Sequence, residues 1–245
     1  MLNVENDGVH MQNACLLIAK MIDHSLLNPI LTTGDLESGC EIAIKYQVAS
    51  ICILPYFLKR CVGIVEGSSV KAGTTIGFPH GGHTTSTKVF ETKQALKDGA
   101  EELDMVVNIS KVISEDWAYV QGEINAVLDI VHTNNKKLKV IFENAYLNRH
   151  QKIKLCEICG ELGVDWVKTS TGYGPGGATD DDLILMREHS PPSIQIKAAG
   201  GIRTYKRLLE VKALGVTRVG ASQTAAIMKE CQSALKTDPK DKNHK

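Results

Sequence analysis

Eight short β-rich runs that alternate with helical stretches, a length of 245 residues and the absence of a Pro/Gly/Ser-rich linker predict a single α/β domain. Eight βα units in about 250 residues is the size and rhythm of a TIM (β/α)8 barrel, a fold that stays undivided at this length. An additional N-terminal helix over Met11–Lys20 is expected to cover the bottom of the barrel. The first four units pair the strand Met21–Ser25 with the helix Thr33–Tyr46, Ala49–Leu54 with Pro55–Glu66, Gly73–Phe78 with Thr85–Asp98, and Glu102–Val107 with Ser114–His132. The last four pair Leu138–Glu143 with Asn148–Leu162, Asp165–Ser170 with Thr179–His189, Ile194–Ala199 with Thr204–Ala213, and Arg218–Gly220 with Ser222–Leu235. The barrel domain is assigned to residues 1–235. Residues 236–245, KTDPKDKNHK, are polar without an apolar period and are expected to be a disordered tail.

Composition narrows the function classes. Hydrophobic residues make up 43% and charged residues 23%, the balance of a soluble globular protein. The 28 basic and 28 acidic residues cancel, so no charge excess steers the chain to nucleic acid or to a membrane surface. Seven scattered cysteines do not form a disulfide framework and indicate a reducing compartment. Cys156 and Cys159 spell CxxC within a helical pattern that has no second pair, which reads as two buried helix thiols. The first residues carry Glu5 and Asp7 with no basic stretch or small-residue cleavage site, and no apolar run reaches membrane-span length. A cytoplasmic enzyme is the expectation.

Strand parity carries the chemical signal. Side chains of a barrel strand alternate between the helices and the interior. Leu103, Met105 and Val107 share one parity, as do Val140 and Phe142, Val167, and Ile194 and Ile196. If these apolar sets face the helices, Asp104, Lys139, Glu143, Lys168 and Lys197 point inward. Charges are almost never fully buried unless paired, so five of them on four adjacent strands predict a polar network. Ion-pair networks also serve purely structural ends. Two inward lysines near the C-terminal ends of neighbouring strands, where barrel chemistry sits, favour an active site.

A free lysine at a pKa of about 10.4 is a poor nucleophile, with roughly one in 2,500 uncharged at pH 7. Lowering the pKa to about 7 requires roughly 4.6 kcal/mol against the charged form. A second ammonium about 5 Å away supplies about 3.3 kcal/mol at an effective dielectric of about 20, and desolvation can supply the remainder. The Lys168/Lys197 pair is an arrangement able to activate an amine for imine formation, with Asp104 moving protons through water.

The segment 165–172, DWVKTSTG, resembles the Schiff-base strand of deoxyribose-phosphate aldolases. Residues 196–204, IKAAGGIRT, resemble that family's second-lysine strand and phosphate loop, and 102–108, ELDMVVN, its proton-relay strand. The similarity runs in order from Ile22-Asp23-His24-Ser25 to the last strand. The resemblance implies a cofactor-free class I aldolase that reversibly cleaves 2-deoxy-D-ribose 5-phosphate to D-glyceraldehyde 3-phosphate and acetaldehyde, within deoxyribonucleoside catabolism. Lys168 would form the imine, Lys197 would depress its pKa and share proton transfer, and Asp104 would be the acid/base. Asp23, Lys139 and Cys52 match inward positions of the family pocket. Asp23 would orient substrate or simply pair with a lysine, and Cys52 is read as a packing thiol. Partners would be a small sugar phosphate and acetaldehyde, with a homodimer as the assembly.

TIM barrels often bind phosphate with the loops after strands seven and eight. Here those loops hold Gly200 and Gly201, then Gly220 and Ser222, and Thr171 and Gly172 would complete the site from strand six. Residues 172–177, GYGPGG, satisfy G-x-G-x-x-G after a strand. Thr179 with Asp182 three residues later looks like the helix cap, however, which puts the third glycine before the helix, and no acid is placed for a ribose. The segment is expected to be a mobile loop over the active site. His80 and His83 are read as loop residues, not metal ligands.

Some positions depart from the family. Asn28 stands where many relatives carry lysine, which removes a charge near the first loop. Tyr173 stands where some members carry a lysine for phosphate, which implies weaker phosphate binding, and Gln223 stands where a second serine is frequent. The tail lacks the terminal tyrosine that some members use for proton transfer. Two alternatives remain beside the acetaldehyde-dependent enzyme. One is a Schiff-base aldolase with a ketose phosphate donor, and the other is a catalytically silent sugar-phosphate-binding barrel.

Overall fold

The computed structural model describes residues 13–237. Eight parallel strands close into a barrel: β1 (Ile22–Leu26), β2 (Ser50–Ile53), β3 (Lys71–Ile76), β4 (Glu102–Val106), β5 (Lys137–Ile141), β6 (Trp166–Lys168), β7 (Gln195–Ala199) and β8 (Arg218–Ala221), with β8 pairing back to β1. This is the TIM barrel the alternation predicts. Each strand is followed by helix: α2 (Thr33–Tyr46), α3 (Leu58–Val65), α4 (Thr85–Lys97), α5 (Ile109–Ile113) with α6 (Trp117–Thr133), α7 (Arg149–Leu162), α8 (Asp180–His189), α9 (Tyr205–Ala213) and α10 (Thr224–Thr237). Helix α1, residues 13–19, precedes β1. Just past α1, the Lys20 ammonium donates to Val48 O and Ser69 Oγ, immediately before β2 and β3, so this end lies at the N-terminal rim of the barrel. The start expected at Met11 lies outside the described residues.

Helix starts follow cap chemistry. Thr32 and Asp35 form a capping box at α2, as do Asn148 and Gln151 at α7. The Thr179 hydroxyl accepts from Asp182 N, so α8 starts at Asp180, beyond the last glycine of the 172–177 segment. Two expected helices differ from those observed. Pro55–Phe57 forms a 3₁₀ turn before α3. The Ser114–His132 prediction misses α5, which Asn108 caps by accepting from Lys111 N, and α6 begins only after Glu115 turns to φ 56° and Asp116 caps. Helix α10 runs through Lys236 and Thr237, the first two residues of the segment expected to be a tail. The rest of it, 238–245, lies outside the described residues.

The core lies between sheet and helices. Leu103 and Met105 on β4, Val140 on β5, Val167 on β6 and Ile196 on β7 are fully buried there, as their parity predicts. Burying each such side chain stabilises by about 1.5–3 kcal/mol. That outer layer fixes the register, and the register fixes what faces inward. Asp104 stands beside Lys139, Lys168 beside Lys197, and Lys197 beside Arg218. Among the described residues no helix is long and apolar enough to cross a membrane.

Candidate active site

Four of the five predicted inward charges meet in one buried cluster. Lys168 Nζ donates to Asp104 Oδ2 at 2.7 Å, and Lys197 Nζ reaches the same oxygen at 2.7 Å. Lys197 also lies 2.6 Å from Asp23 Oδ2. Lys139 Nζ touches three carboxylates, Glu102 at 2.6 Å, Asp104 at 3.0 Å and Asp23 at 3.1 Å. Arg218 pairs with Asp23 and with Glu102, and its guanidinium lies 5.1 Å from the Trp166 ring centroid, as Lys139 does at 5.8 Å. Glu102, Trp166 and Arg218 are absent from the sequence-based site, yet parity names them. Glu102 alternates with Asp104, Trp166 with Lys168, and Arg218 with Gly220.

The fifth charge, Glu143, does not join the cluster. Strand β5 ends at Ile141, and Glu143 takes φ 57° at the start of a 3₁₀ turn. The turn carries its carboxylate to the loop after β6, where it accepts from Thr171 N at 3.2 Å and from the Thr171 hydroxyl. Glu143 thereby braces a predicted phosphate residue and is not a partner of the lysines.

The cluster treats its lysines differently. Burial pulls Lys168 below the ordinary lysine range; the Asp104 carboxylate opposes it and the Lys197 ammonium adds to it. Burial thus outweighs the like charge that the sequence suggests as the larger cause. For Lys197 burial is overcome by Asp104 and Asp23, which hold it above its ordinary value. Lys139 is held well above, because Asp104, Asp23 and Glu102 outweigh its burial. Asp104 and Asp23 are both fully desolvated, yet the surrounding lysines keep them ionised, far below the usual carboxylate range. Cys52 is 2% exposed, and burial, then Asp104, pushes its thiol up to about 11, in keeping with a packing role.

Above the cluster, at the C-terminal ends of the strands, lies a cavity of about 700 Å³. Lys168 lines it, while Asp23, Cys52, Asp104, Lys139 and Lys197 do not. All six predicted phosphate residues line its wall: Thr171, Gly172, Gly200, Gly201, Gly220 and Ser222. Gly200 has φ +82° and packs against Gly177, so that a Cβ there would meet Gly177 Cα at 2.7 Å; Ala178 N donates to Gly200 O. Gly177 therefore serves close contact with the β7 loop, whereas Gly174 packs against the Glu143 carboxylate. Arg203, exposed on the same wall, is a cation within the 196–204 motif that is absent from the sequence-based site. From the β6 loop the Tyr173 hydroxyl donates to Leu27 O at 2.7 Å, and its ring meets Phe78 edge-on at 5.6 Å, tethering the segment to the loops after β1 and β3.

Outside the barrel, Cys156 and Cys159 are buried free thiols of α7. His80 and His83 are exposed, and among the described residues no group of three or more His, Cys, Asp or Glu is arranged to hold a metal ion.

Residues 17–227 match the family described as DeoC/LacD family aldolase. The chain is 62% identical over 218 residues to the deoxyribose-phosphate aldolase of Rhodopirellula baltica, covering 89% of this chain and 90% of that one. It is 44% identical over 214 residues to the deoxyribose-phosphate aldolase of Caldicellulosiruptor saccharolyticus, covering 87% and 97%. The tetrameric deoxyribose phosphate aldolase of Aeropyrum pernix superposes with a TM-score of 0.84 at 25% identity, covering 94% and 97%.

Proposed function

Because the chain belongs to the DeoC/LacD family of aldolases, we propose that its lyase reaction is the reversible cleavage of 2-deoxy-D-ribose 5-phosphate through an imine on Lys168. The observation that carries this is Lys168 itself. It is the one cluster cation, among the described residues, whose amine opens onto the cavity, and the predicted phosphate loops form the wall of that cavity.

In this scheme the uncharged Lys168 amine adds to the C1 aldehyde of the open-chain sugar, and loss of water leaves a protonated imine. The C3 hydroxyl gives up its proton, the C2–C3 bond breaks into the imine, and D-glyceraldehyde 3-phosphate departs. Protonation of the enamine at C2 and hydrolysis then release acetaldehyde and restore the amine. Asp104, held ionised between three lysines, is suited to receive protons, directly or through water. Lys197, held charged 2.7 Å from the same carboxylate, is suited to return them. Lys139 and Asp23 fix those two groups, and Cys52 packs beside them. The C5 phosphate would sit on the backbone N–H groups of the Gly200–Gly201 and Gly220–Ser222 loops with Arg203 at their edge, and Thr171 and Gly172 opposite. The scheme draws on no metal or nucleotide. We place the enzyme in the cytoplasm as a homodimer, although the Aeropyrum relative is a tetramer.

Borohydride reduction in the presence of acetaldehyde tests the assignment by peptide mass spectrometry. A two-carbon adduct is expected on Lys168 and none on Lys197. An adduct chiefly on Lys197 would reverse the two roles, and no adduct at all would remove the aldol chemistry.

A further inference from the structure

The buried cluster has a charge asymmetry that the pairwise contacts conceal. It contains four basic side chains, Lys139, Lys168, Lys197 and Arg218, and three acidic ones, Asp23, Glu102 and Asp104. Full ionisation would leave one uncompensated positive charge in the barrel, and a net charge withdrawn from water is strongly disfavoured. Balance is reached when one basic group gives up its proton. Arg218 is excluded, since a guanidinium does not deprotonate in proteins. Lys139 has three carboxylate partners and Lys197 two, whereas Lys168 has Asp104 alone and is the lysine that lines the cavity. Its proton also has a route to solvent.

We propose that Arg218 and Glu102, at the N-terminal end of the barrel and away from the substrate cavity, are positioning residues for the nucleophile, setting the charge balance that leaves Lys168 an uncharged amine. The proposal rests on the imine assignment above and deepens it. The charged groups on the strands around Lys168 fall into two sets, buried and solvated. Asp23 on β1 is counted, Cys52 on β2 stays a thiol, and β3 presents the uncharged Thr75. Lys71 at the start of β3 is exposed and Lys20, which faces Arg218, is half-buried, so both are solvated and stand outside the buried balance. Glu102 and Asp104 on β4, Lys139 on β5, Lys197 on β7 and Arg218 on β8 are counted. Beyond the strands, Glu143 is engaged with Thr171, while Arg203 and Tyr173 lie at the solvated mouth. The direction of the shifts agrees: Lys168 is lowered, whereas Lys139, Lys197 and Arg218 are raised.

The test is the pH dependence of acetaldehyde trapping on Lys168 in charge variants that never meet the substrate. Arg218→Gln removes a positive charge, makes the Lys168 ammonium easier to keep and should move the acid limb of the trapping rate up by about one pH unit. Glu102→Gln removes a negative charge and should move the limb down by about one unit. The double variant restores balance and should return it close to the starting position. Opposite shifts that cancel cannot come from general loosening of the barrel. Shifts in the same direction, or a limb that keeps its place while the rate falls, would overturn the proposal. If Arg218→Gln does not fold, Glu102→Gln decides, because its side chain is isosteric: an acid shift sustains the proposal and an unmoved limb overturns it. If the unaltered enzyme forms no adduct, the imine assignment fails by itself. Acetylation of Lys168 by acetic anhydride, which needs only a free amine, then reads the same shifts.

Discussion

The two faces of the sheet both bury ionisable groups, and they use them for different ends. On the outer face, between sheet and helices, Lys88 of α4 lies 2.8 Å from Glu123 of α6 and donates to Val106 O at 2.7 Å, with both side chains fully buried. Lys88 forms its ion pair with Glu123, with Glu91 as a further carboxylate acting on it, and Glu123 accepts from Asn108 N with its other oxygen. Gly77 closes against the Lys88 stem, where a Cβ would approach to 2.6 Å. His24 on the same outer face is held neutral, mainly by burial, with Nδ1 at 2.8 Å from Thr224 Oγ1. On the inner face the cations outnumber the carboxylates, and one of them, Lys168, opens to a cavity of about 700 Å³. Burial lowers Lys88 and Lys168 alike. A buried lysine therefore does not mark an active site by itself. An uncompensated lysine with access to a cavity does.

The largest contrast is in chemistry. Lys168→Leu should reduce cleavage by roughly 10⁴-fold or more and abolish the borohydride-trapped adduct at every pH. Lys88→Met should leave the adduct on Lys168 intact, as mass spectrometry of the two variants will show. Loss of the adduct in Lys88→Met would break the division between faces.

Stability gives the converse. Lys88→Met leaves Glu123 buried without its cation and should cost about 3–5 kcal/mol in urea unfolding. Adding Glu123→Gln removes the orphaned charge, keeps an acceptor for Asn108 N and should recover most of the loss. If the double variant is no more stable than the single one, the loss does not come from the orphaned Glu123.

His24 gives the outer face a pH signature. Its folded pKa of about 4 lies below the ordinary histidine value of 6.5, so the unfolded chain binds the extra proton between these values. The stability from this group is complete above pH 6.5 and is lost as pH falls toward 4, by about 3 kcal/mol in all. Chemical denaturation across that range should show the loss, and His24→Asn should remove this slope. The ionised inner-face carboxylates Asp23 and Asp104 act lower, below their ordinary value near 3.8.

The smallest effect concerns the mouth of the inner face. Tyr173→Phe keeps the ring against Phe78 but loses the hydrogen bond to Leu27 O, which should cost about 1 kcal/mol of loop tethering. Steady-state kinetics should show KM raised severalfold with the trapped adduct unchanged. A fall in adduct formation would mean that the tether reaches the chemistry as well as binding.

Much of the site was legible because parity in a strand is a geometric constraint. Once Leu103, Met105, Val140, Val167 and Ile196 claim the helical side, Asp104, Lys139, Lys168 and Lys197 have only the interior left. The same rule already contained Glu102 and Arg218, which stand at the first residues of β4 and β8. They escape notice because a charge at a strand edge looks like a solvated end. Glu143 fails in the opposite way. Alternation assumes an extended backbone, and its positive φ takes it out of the strand. Helix α5 was missed because it has only five residues and begins at Asn108, which also fits the end of the preceding strand.

The sequence by itself determined the barrel, the order of its strands, the helix cap at Thr179, and the inward placement of Asp104, Lys139, Lys168 and Lys197. Periodicity and capping are local properties, so neighbouring residues suffice to specify them. Only the tertiary structure decided that Asp104 joins three lysines and that Lys168 alone of the cluster lysines lines the cavity. It also decided that burial outweighs Lys197 in lowering the nucleophile. Those outcomes depend on distances across the closed barrel and on desolvation. Both are set by strands remote in sequence, and neither has a local signature.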